Sequence, residues 1–272
     1  ISLGLVGSEM CIRDRWKKMT DEKIKAAKAH WSGRMVSNGM PLADFQDVTT
    51  QTQKWDDWCI ALSNRGDIHA GLGSESEESG FLLSAGEHYV TAAICYHFGK
   101  FLFVNNPIQM KSTHKKAVDI YTKALPYLNP PGERVSIPYN GGTLYGNLRA
   151  PNGIKTPPVV ILIMGLDSAK EEMFYNEQLF LDRGMATLTF DGPGQGEAEY
   201  DLSICPEYEK PVQAVIEFTK TRKDLDASSI GLWGVSMGGY YAPRAAAFCK
   251  NLKGCIALSC LLYTSPSPRD PT

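Results

Sequence analysis

An apolar run, Ile230–Trp233, passes directly into Gly234-Val235-Ser236-Met237-Gly238-Gly239 and on into the helical segment Tyr240–Phe248. Few backbones can join a strand to a helix through a glycine-flanked serine with no intervening loop. The serine must sit at the tip of one tight turn, in a strained conformation that exposes its hydroxyl. Small residues two before and two after it let strand and helix approach closely. The helix start beneath the turn leaves backbone N–H groups without partners and carries partial positive charge. These are the requirements of a serine nucleophile whose oxyanion is held by backbone donors. Ser236 is therefore the candidate catalytic residue, and the Met237 N–H one oxyanion donor. The rival reading is a merely structural glycine turn, which the flanking strand and helix disfavour.

The rest of the chain divides by period. From Thr20 to about Leu128 the pattern is helical: Asp21–Trp31 with Thr20 placed to cap it, Phe45–Asn64, Ser79–Val104 and Gln109–Leu125. Pro126 and Pro130-Pro131-Gly132 then break it. Arg134–Tyr139 and Thr143–Arg149 flank Asn140-Gly141-Gly142, which predicts a hairpin. Strands follow at Val159–Met164, Met185–Phe190, Ile230–Trp233 and Gly254–Leu258. They alternate with helices at about Lys170–Asp182, Lys210–Thr221 and Gly239–Phe248. That alternation predicts an α/β fold, a mostly parallel sheet with helices on both faces.

Two further loops bear on the site. Ile163-Met164-Gly165-Leu166-Asp167-Ser168 follows an early strand, where this architecture places its second oxyanion donor, so Leu166 is the candidate for that N–H. An ordinary strand-to-helix turn, with Asp167 or Ser168 capping the helix, is compatible with the same role. Asp191-Gly192-Pro193-Gly194-Gln195-Gly196-Glu197 is glycine-rich, but its Gly-x-Gly-x-Gly spacing does not lead into a helix as a dinucleotide site requires. It is expected to be a tight loop at the carboxyl edge of the sheet, near the site and not nucleotide-binding.

A serine hydrolase also needs a base and an orienting acid, which in this architecture follow the serine as Asp or Glu and then His. All five histidines, His30, His69, His88, His97 and His114, precede Ser236. Each is more readily a packing or surface residue than a base, though His69 and His97 are placed where a helical cap could meet substrate. Net charge of −2 gives no reason to expect nucleic acid or an anionic membrane as partner. No apolar run is long enough to span a bilayer, and no charged-then-apolar-then-small pattern at the start leads one to expect a secretory signal. The seven scattered cysteines, with no C-x-x-C pair, are expected to be reduced, buried thiols in a cytoplasmic protein, with no metal site.

Both ends read differently from the middle. Residues 1–15 and 260–272 resemble translated sequencing-adapter DNA and are expected to be a non-native leader and tail. The expected organisation is then a helical cap domain over 16–130 and an α/β core over 131–259.

Gly165-Leu166-Asp167-Ser168-Ala169-Lys170-Glu171-Glu172, Asp191-Gly192-Pro193-Gly194-Gln195-Gly196-Glu197 and Gly234-Val235-Ser236-Met237-Gly238-Gly239-Tyr240 together resemble the FrsA-like esterase family. Trp55, Trp58 and Gly66-Asp67-Ile68-His69 resemble that family's helical domain. The resemblance covers about Trp16–Ser259. It implies an α/β-hydrolase core, incomplete at its C-terminal end, under an N-terminal helical cap. It also implies a cofactor-free hydrolase that cleaves carbon–carbon bonds beside ketones, or esters, through a Ser-Asp-His triad. The implied partner is a small-molecule substrate, an aromatic or polyketide-like ketone, with a homodimer entertained for the parent protein. Only the serine and oxyanion elements carry over, so the chain by itself is expected to be inactive. The alternatives are a carboxylesterase and a non-catalytic binding module of the same fold; a prolyl-oligopeptidase-type peptidase is more distant.

Overall fold

The structure, a computed structural model, describes residues 21–258. Thr20, the two segments expected to be non-native, Cys11 and Cys260 lie outside the described residues. Helices occupy the first half: α1 (Glu22–His30), α2 (Ser32–Ser37), α3 (Leu42–Gln51), α4 (Trp58–Glu78), α5 (Leu82–Lys100) and α6 (Pro107–Ala124). Asp21, not Thr20, caps α1, accepting from the Lys23 N–H. Asn106 caps α6 by accepting from Gln109, with Pro107 at its first position.

The single helix expected over Phe45–Asn64 is two. A 3₁₀ turn, Trp55–Asp57, separates α3 from α4 and stacks Trp55 on Trp58 at 5.2 Å. Helix α4 then runs on through the Gly/Ser-rich stretch to Glu78. Its glycines are packing surface there: the Tyr96 and Tyr89 rings of α5 lie where β-carbons of Gly66 and Gly73 would stand.

Strands begin at β1 (Gly132–Tyr139), paired with β2 (Gly142–Arg149) through a turn in which Asn140 and Gly141 both take positive φ, 47° and 78°. That is the geometry a two-residue hairpin needs to match strand twist. The sheet order is β1-β2-β4-β3-β5-β6, with β3 (Pro158–Ile163), β4 (Ala186–Phe190), β5 (Asp226–Val235) and β6 (Gly254–Leu258) mutually parallel. Register sets Ile161 beside Leu188 and Leu232. Val159, Ile161 and Ile163 face α8 (Glu209–Thr221) and α9 (Gly238–Phe248), packing with Val212, Val215, Tyr241 and Ala242. Val160, Leu162 and Trp233 face the other way, against Met173 and Phe180. The helix expected over Lys170–Asp182 is a 3₁₀ turn, Lys170–Met173, leading into α7 (Phe174–Leu181). Of the described cysteines, Cys59, Cys95 and Cys249 are buried as expected, but Cys205 is half-buried and Cys255 on β6 is exposed.

One buried carboxylate joins the helices to the sheet. Glu172 accepts from Arg34 Nε at 2.6 Å and Nη2 at 2.8 Å, from Asn38 at 2.6 Å and from Ser168 at 2.5 Å, and it meets His97 Nε2 at 3.0 Å. Burial alone would raise its pKa. The hydrogen bonds and charges of Arg34 and His97 outweigh burial and hold the carboxyl well below its ordinary range. Removing one partner of such a buried pair typically costs about 3–5 kcal/mol, because the remaining charge is left uncompensated. Glu172→Ala is therefore expected to lower unfolding free energy by about that amount in urea titration at pH 7. Since the folded pKa is depressed, the difference from wild type should be full above the usual carboxylate range and shrink as pH falls through and below it. A pH-independent difference, or one under about 0.5 kcal/mol, would remove Glu172 from this role.

Candidate functional site

Ser236 lies between β5 and α9, at the carboxyl edge of the sheet, with φ at 56°. A non-glycine residue pays roughly 1–2 kcal/mol for that left-handed conformation. Packing imposes it. A β-carbon on Gly234 would fall on the Gly238 carbonyl, and one on Gly238 would fall on the Ile163 carbonyl at the end of β3. With strand and helix pressed this close, the turn has no room to relax, and Ser236 stands exposed between the half-buried Val235 and Met237. Its N–H donates to the Leu258 carbonyl at 2.9 Å, anchoring the turn to the end of β6. Met237 stands at the N-cap position of α9, among the N–H groups that a helix start leaves without intrahelical acceptors.

The Gly165–Ser168 loop closes on this turn. A β-carbon on Gly165 would lie 3.2 Å from Ser236 Cβ and 3.6 Å from its Oγ, so the loop backbone passes directly over the serine. Leu166 follows, with its side chain exposed. Neither Asp167 nor Ser168 caps a helix: Asp167 pairs with Arg34 at 3.3 Å and Ser168 donates to Glu172, while Ala169 takes the cap position.

The Asp191–Glu197 loop packs beneath. Gln195 Nε2 donates to the carbonyls of Met164 at 3.1 Å and Gly165 at 2.5 Å, and its Oε1 accepts from Tyr208 at 2.5 Å. Asp191 accepts from the backbone N–H of Lys170 and of Glu197. Glu171, Asp191 and Glu197 bring carboxylate oxygens within 4.8 Å of one another, a spacing that a cation could bridge. The Lys170 ammonium is that cation, 2.7, 2.8 and 2.5 Å from the three. Burial favours its neutral form, but the three carboxylates outweigh this and raise its pKa well above the ordinary value. Arg134 also pairs with Glu197, so two cations face the three carboxylates, and the cluster supports the loop.

Two clefts flank the site. One of about 240 Å³ lies between Leu102, Val104 and Met110 of the helical region and Leu166 of the loop. A larger one, about 870 Å³, opens beyond the Asp191–Glu197 loop against α6, between His114, Lys111, Arg134, Tyr145 and Tyr200. Three of the five histidines have hydrogen-bond partners other than Ser236. His97 is fully buried against Glu172, His114 meets Tyr200 at 2.9 Å, and His69 meets Asp44 at 2.6 Å. No described helix is long and apolar enough to cross a membrane.

The profile of the esterase FrsA-like family matches residues 44–267. The chain belongs to that family. It is 37% identical over 227 residues to the 2,6-dihydropseudooxynicotine hydrolase of Paenarthrobacter nicotinovorans, covering 83% of this chain and 60% of that protein. It is 26% identical over 246 residues to the alpha/beta hydrolase pydG of an Acremonium species, covering 83% and 57%. The solved structure of a 2,6-dihydroxy-pseudo-oxynicotine hydrolase superposes with a TM-score of 0.76 at 35% identity, over 84% of this chain and 64% of that one. The fold is that of an α/β-hydrolase with a helical N-terminal region, and the chain spans about three-fifths of the length of these relatives.

Within this FrsA-like frame, the structure brings Ser236, Met237 and the Gly165-Leu166 segment together. Gln195, Lys170 and Glu172 were not singled out from sequence as site residues. Gln195 is a polar residue inside a run that reads as a tight loop, and Lys170 and Glu172 stand at the start of the expected Lys170–Asp182 helix.

The backbone strain at Ser236 is directly measurable. Ser236→Gly, which accepts positive φ freely, should be more stable than Ser236→Ala by about 1 kcal/mol in chemical denaturation. Equal stability would mean that φ is not positive there.

Proposed function

We propose that Ser236 is the nucleophile of a serine hydrolase of the FrsA-like family. The observation that carries this reading is its exposed, left-handed position at the start of α9, with Gly165 packed against its β-carbon. Ser236 Oγ attacks a substrate carbonyl, and the N–H groups of Met237 and Leu166 hold the resulting oxyanion. On collapse of the tetrahedral adduct one bond to the carbonyl carbon breaks and an acyl-serine remains, which water then hydrolyses. If that bond joins carbon to carbon, its electrons leave on the neighbouring carbon, which takes a proton. A second carbonyl on that carbon, or a hydroxyl-bearing aromatic ring containing it, stabilises such a leaving group as an enol or phenol, and an aromatic or polyketide-like ketone of this kind is the substrate class we favour. The apolar wall of Leu102, Val104, Met110 and Leu166 beside the site suits it. The esterase description of the family supports ester cleavage by the same nucleophile as the second reading.

No histidine follows Ser236 in this sequence, and His97, His114 and His69 are engaged elsewhere. The base and its acid are therefore assigned to chain outside these 272 residues, and the polypeptide alone is expected to be inactive.

The test is active-site labelling by a fluorophosphonate, with the product of the uninterrupted gene beside the 272-residue chain. The full product should be labelled at Ser236, lose labelling in Ser236→Ala, and turn over aryl ketones or aryl esters. The 272-residue chain should label at least about a hundredfold more slowly. Absence of labelling in a folded full product would instead favour a non-catalytic binding module.

A further inference from the structure

We propose that Gln195 is the positioning residue that aims the second oxyanion donor, the Leu166 N–H, at Ser236; this rests on the serine-hydrolase reading above. The inference follows from the planarity of one peptide bond. The Gly165 carbonyl and the Leu166 N–H belong to the same trans peptide unit, so they point in opposite directions within one plane. Gln195 Nε2 grips that carbonyl at 2.5 Å and the preceding one, Met164, at 3.1 Å. Two consecutive peptide planes are thereby held from one side. With the carbonyl fixed on the Gln195 side, the Leu166 N–H is turned away from Gln195, on a loop whose Gly165 α-carbon lies against Ser236.

Gln195 is itself held. It is buried, with a relative exposure of 1%. Tyr208 Oη donates to its Oε1 at 2.5 Å, which settles which end of the amide accepts and leaves Nε2 as the donor. The Tyr208 ring stacks on Tyr241 at 3.8 Å with planes 2° apart, and Tyr241 lies in the first turn of α9. Gly192 makes the arrangement feasible, because a β-carbon there would occupy the Tyr208 hydroxyl position. A continuous set of contacts thus runs from the helix that supplies the Met237 N–H, through Tyr241, Tyr208 and Gln195, to the peptide that supplies the Leu166 N–H. Each oxyanion donor is set by reference to the other. This gives the Asp191–Glu197 loop a part in the chemistry through Gln195, although none of its groups need touch substrate.

The test compares wild type with Gln195→Leu, which keeps bulk and removes both donors, and with Tyr208→Phe, which removes only the hydroxyl that orients the amide. Two measurements are made on the full gene product. The first is fluorophosphonate inactivation, resolved into reversible binding and the first-order phosphorylation step. The expected result is a slower phosphorylation step, by at least about tenfold for Gln195→Leu and severalfold for Tyr208→Phe, with reversible binding unchanged. The second is backbone amide exchange, which should rise in residues 164–168 of Gln195→Leu while β3 stays protected. Unchanged exchange in that segment overturns the positioning role whatever the chemistry shows. Raised exchange with wild-type phosphorylation overturns the link to the oxyanion. If wild type is not labelled at all, the serine-hydrolase reading fails and this inference falls with it; the exchange arm then still decides whether Gln195 holds the loop. Tyr208→Phe, a single-atom change, keeps the test decisive if Gln195→Leu does not fold.

Discussion

The first turn of α9 lies against the carboxyl ends of β3 and β5 with no space for a β-carbon at Gly234 or Gly238. Everything at the site depends on that contact. It fixes how sharply the chain turns, and the sharpness forces Ser236 to φ of 56° with its side chain outward. The strain is tolerable because the layers on either side are already locked by Val159, Ile161 and Ile163 against α8 and α9 and by Leu162 and Trp233 on the opposite face. A local cost of roughly 1–2 kcal/mol is small beside the burial of several large aliphatic side chains, each contributing about 1.5–3 kcal/mol.

Charge does the complementary work beneath the Gly165–Ser168 loop. Consecutive residues Lys170, Glu171 and Glu172 are all buried, which is tolerable only with matched partners. Lys170 and Arg134 pair with the carboxylates of the Asp191–Glu197 loop, while Glu172 is satisfied by Arg34, Asn38, His97 and Ser168. The two clusters hold the same short segment, so the loop over Ser236 is tied to the Asp191–Glu197 loop and to the helices at once.

The strand–turn–helix around Ser236 and the parallel character of β3 to β6 were legible because their determinants are local: apolar runs, glycine spacing and helical period. The break between α3 and α4 was not, because Trp55 and Trp58 stand at helical spacing in the sequence but are held by distant residues, Trp58 Nε1 by the Phe98 carbonyl at 2.9 Å and the Trp55 ring by Phe103, and tertiary packing overrides propensity there. The continuation of α4 through Gly66 and Gly73 was hidden for the same reason, since those glycines answer to Tyr96 and Tyr89 on another helix. At the site, backbone roles were readable from position in the turn. The roles of Gln195 and Glu172 were not, since each is defined by partners tens of residues away.

The tie between Arg34, Glu172 and Asp167 has a mechanical consequence. Arg34 lies on α2, whereas Asp167 and Glu172 flank the segment over the serine. The helices are therefore not a lid resting on a finished enzyme core. They form one wall of the loop that faces Ser236, and any sliding of the helical layer must either drag Asp167 with it or strand a buried carboxylate. Access to the serine and the shape of the loop above it are a single degree of freedom.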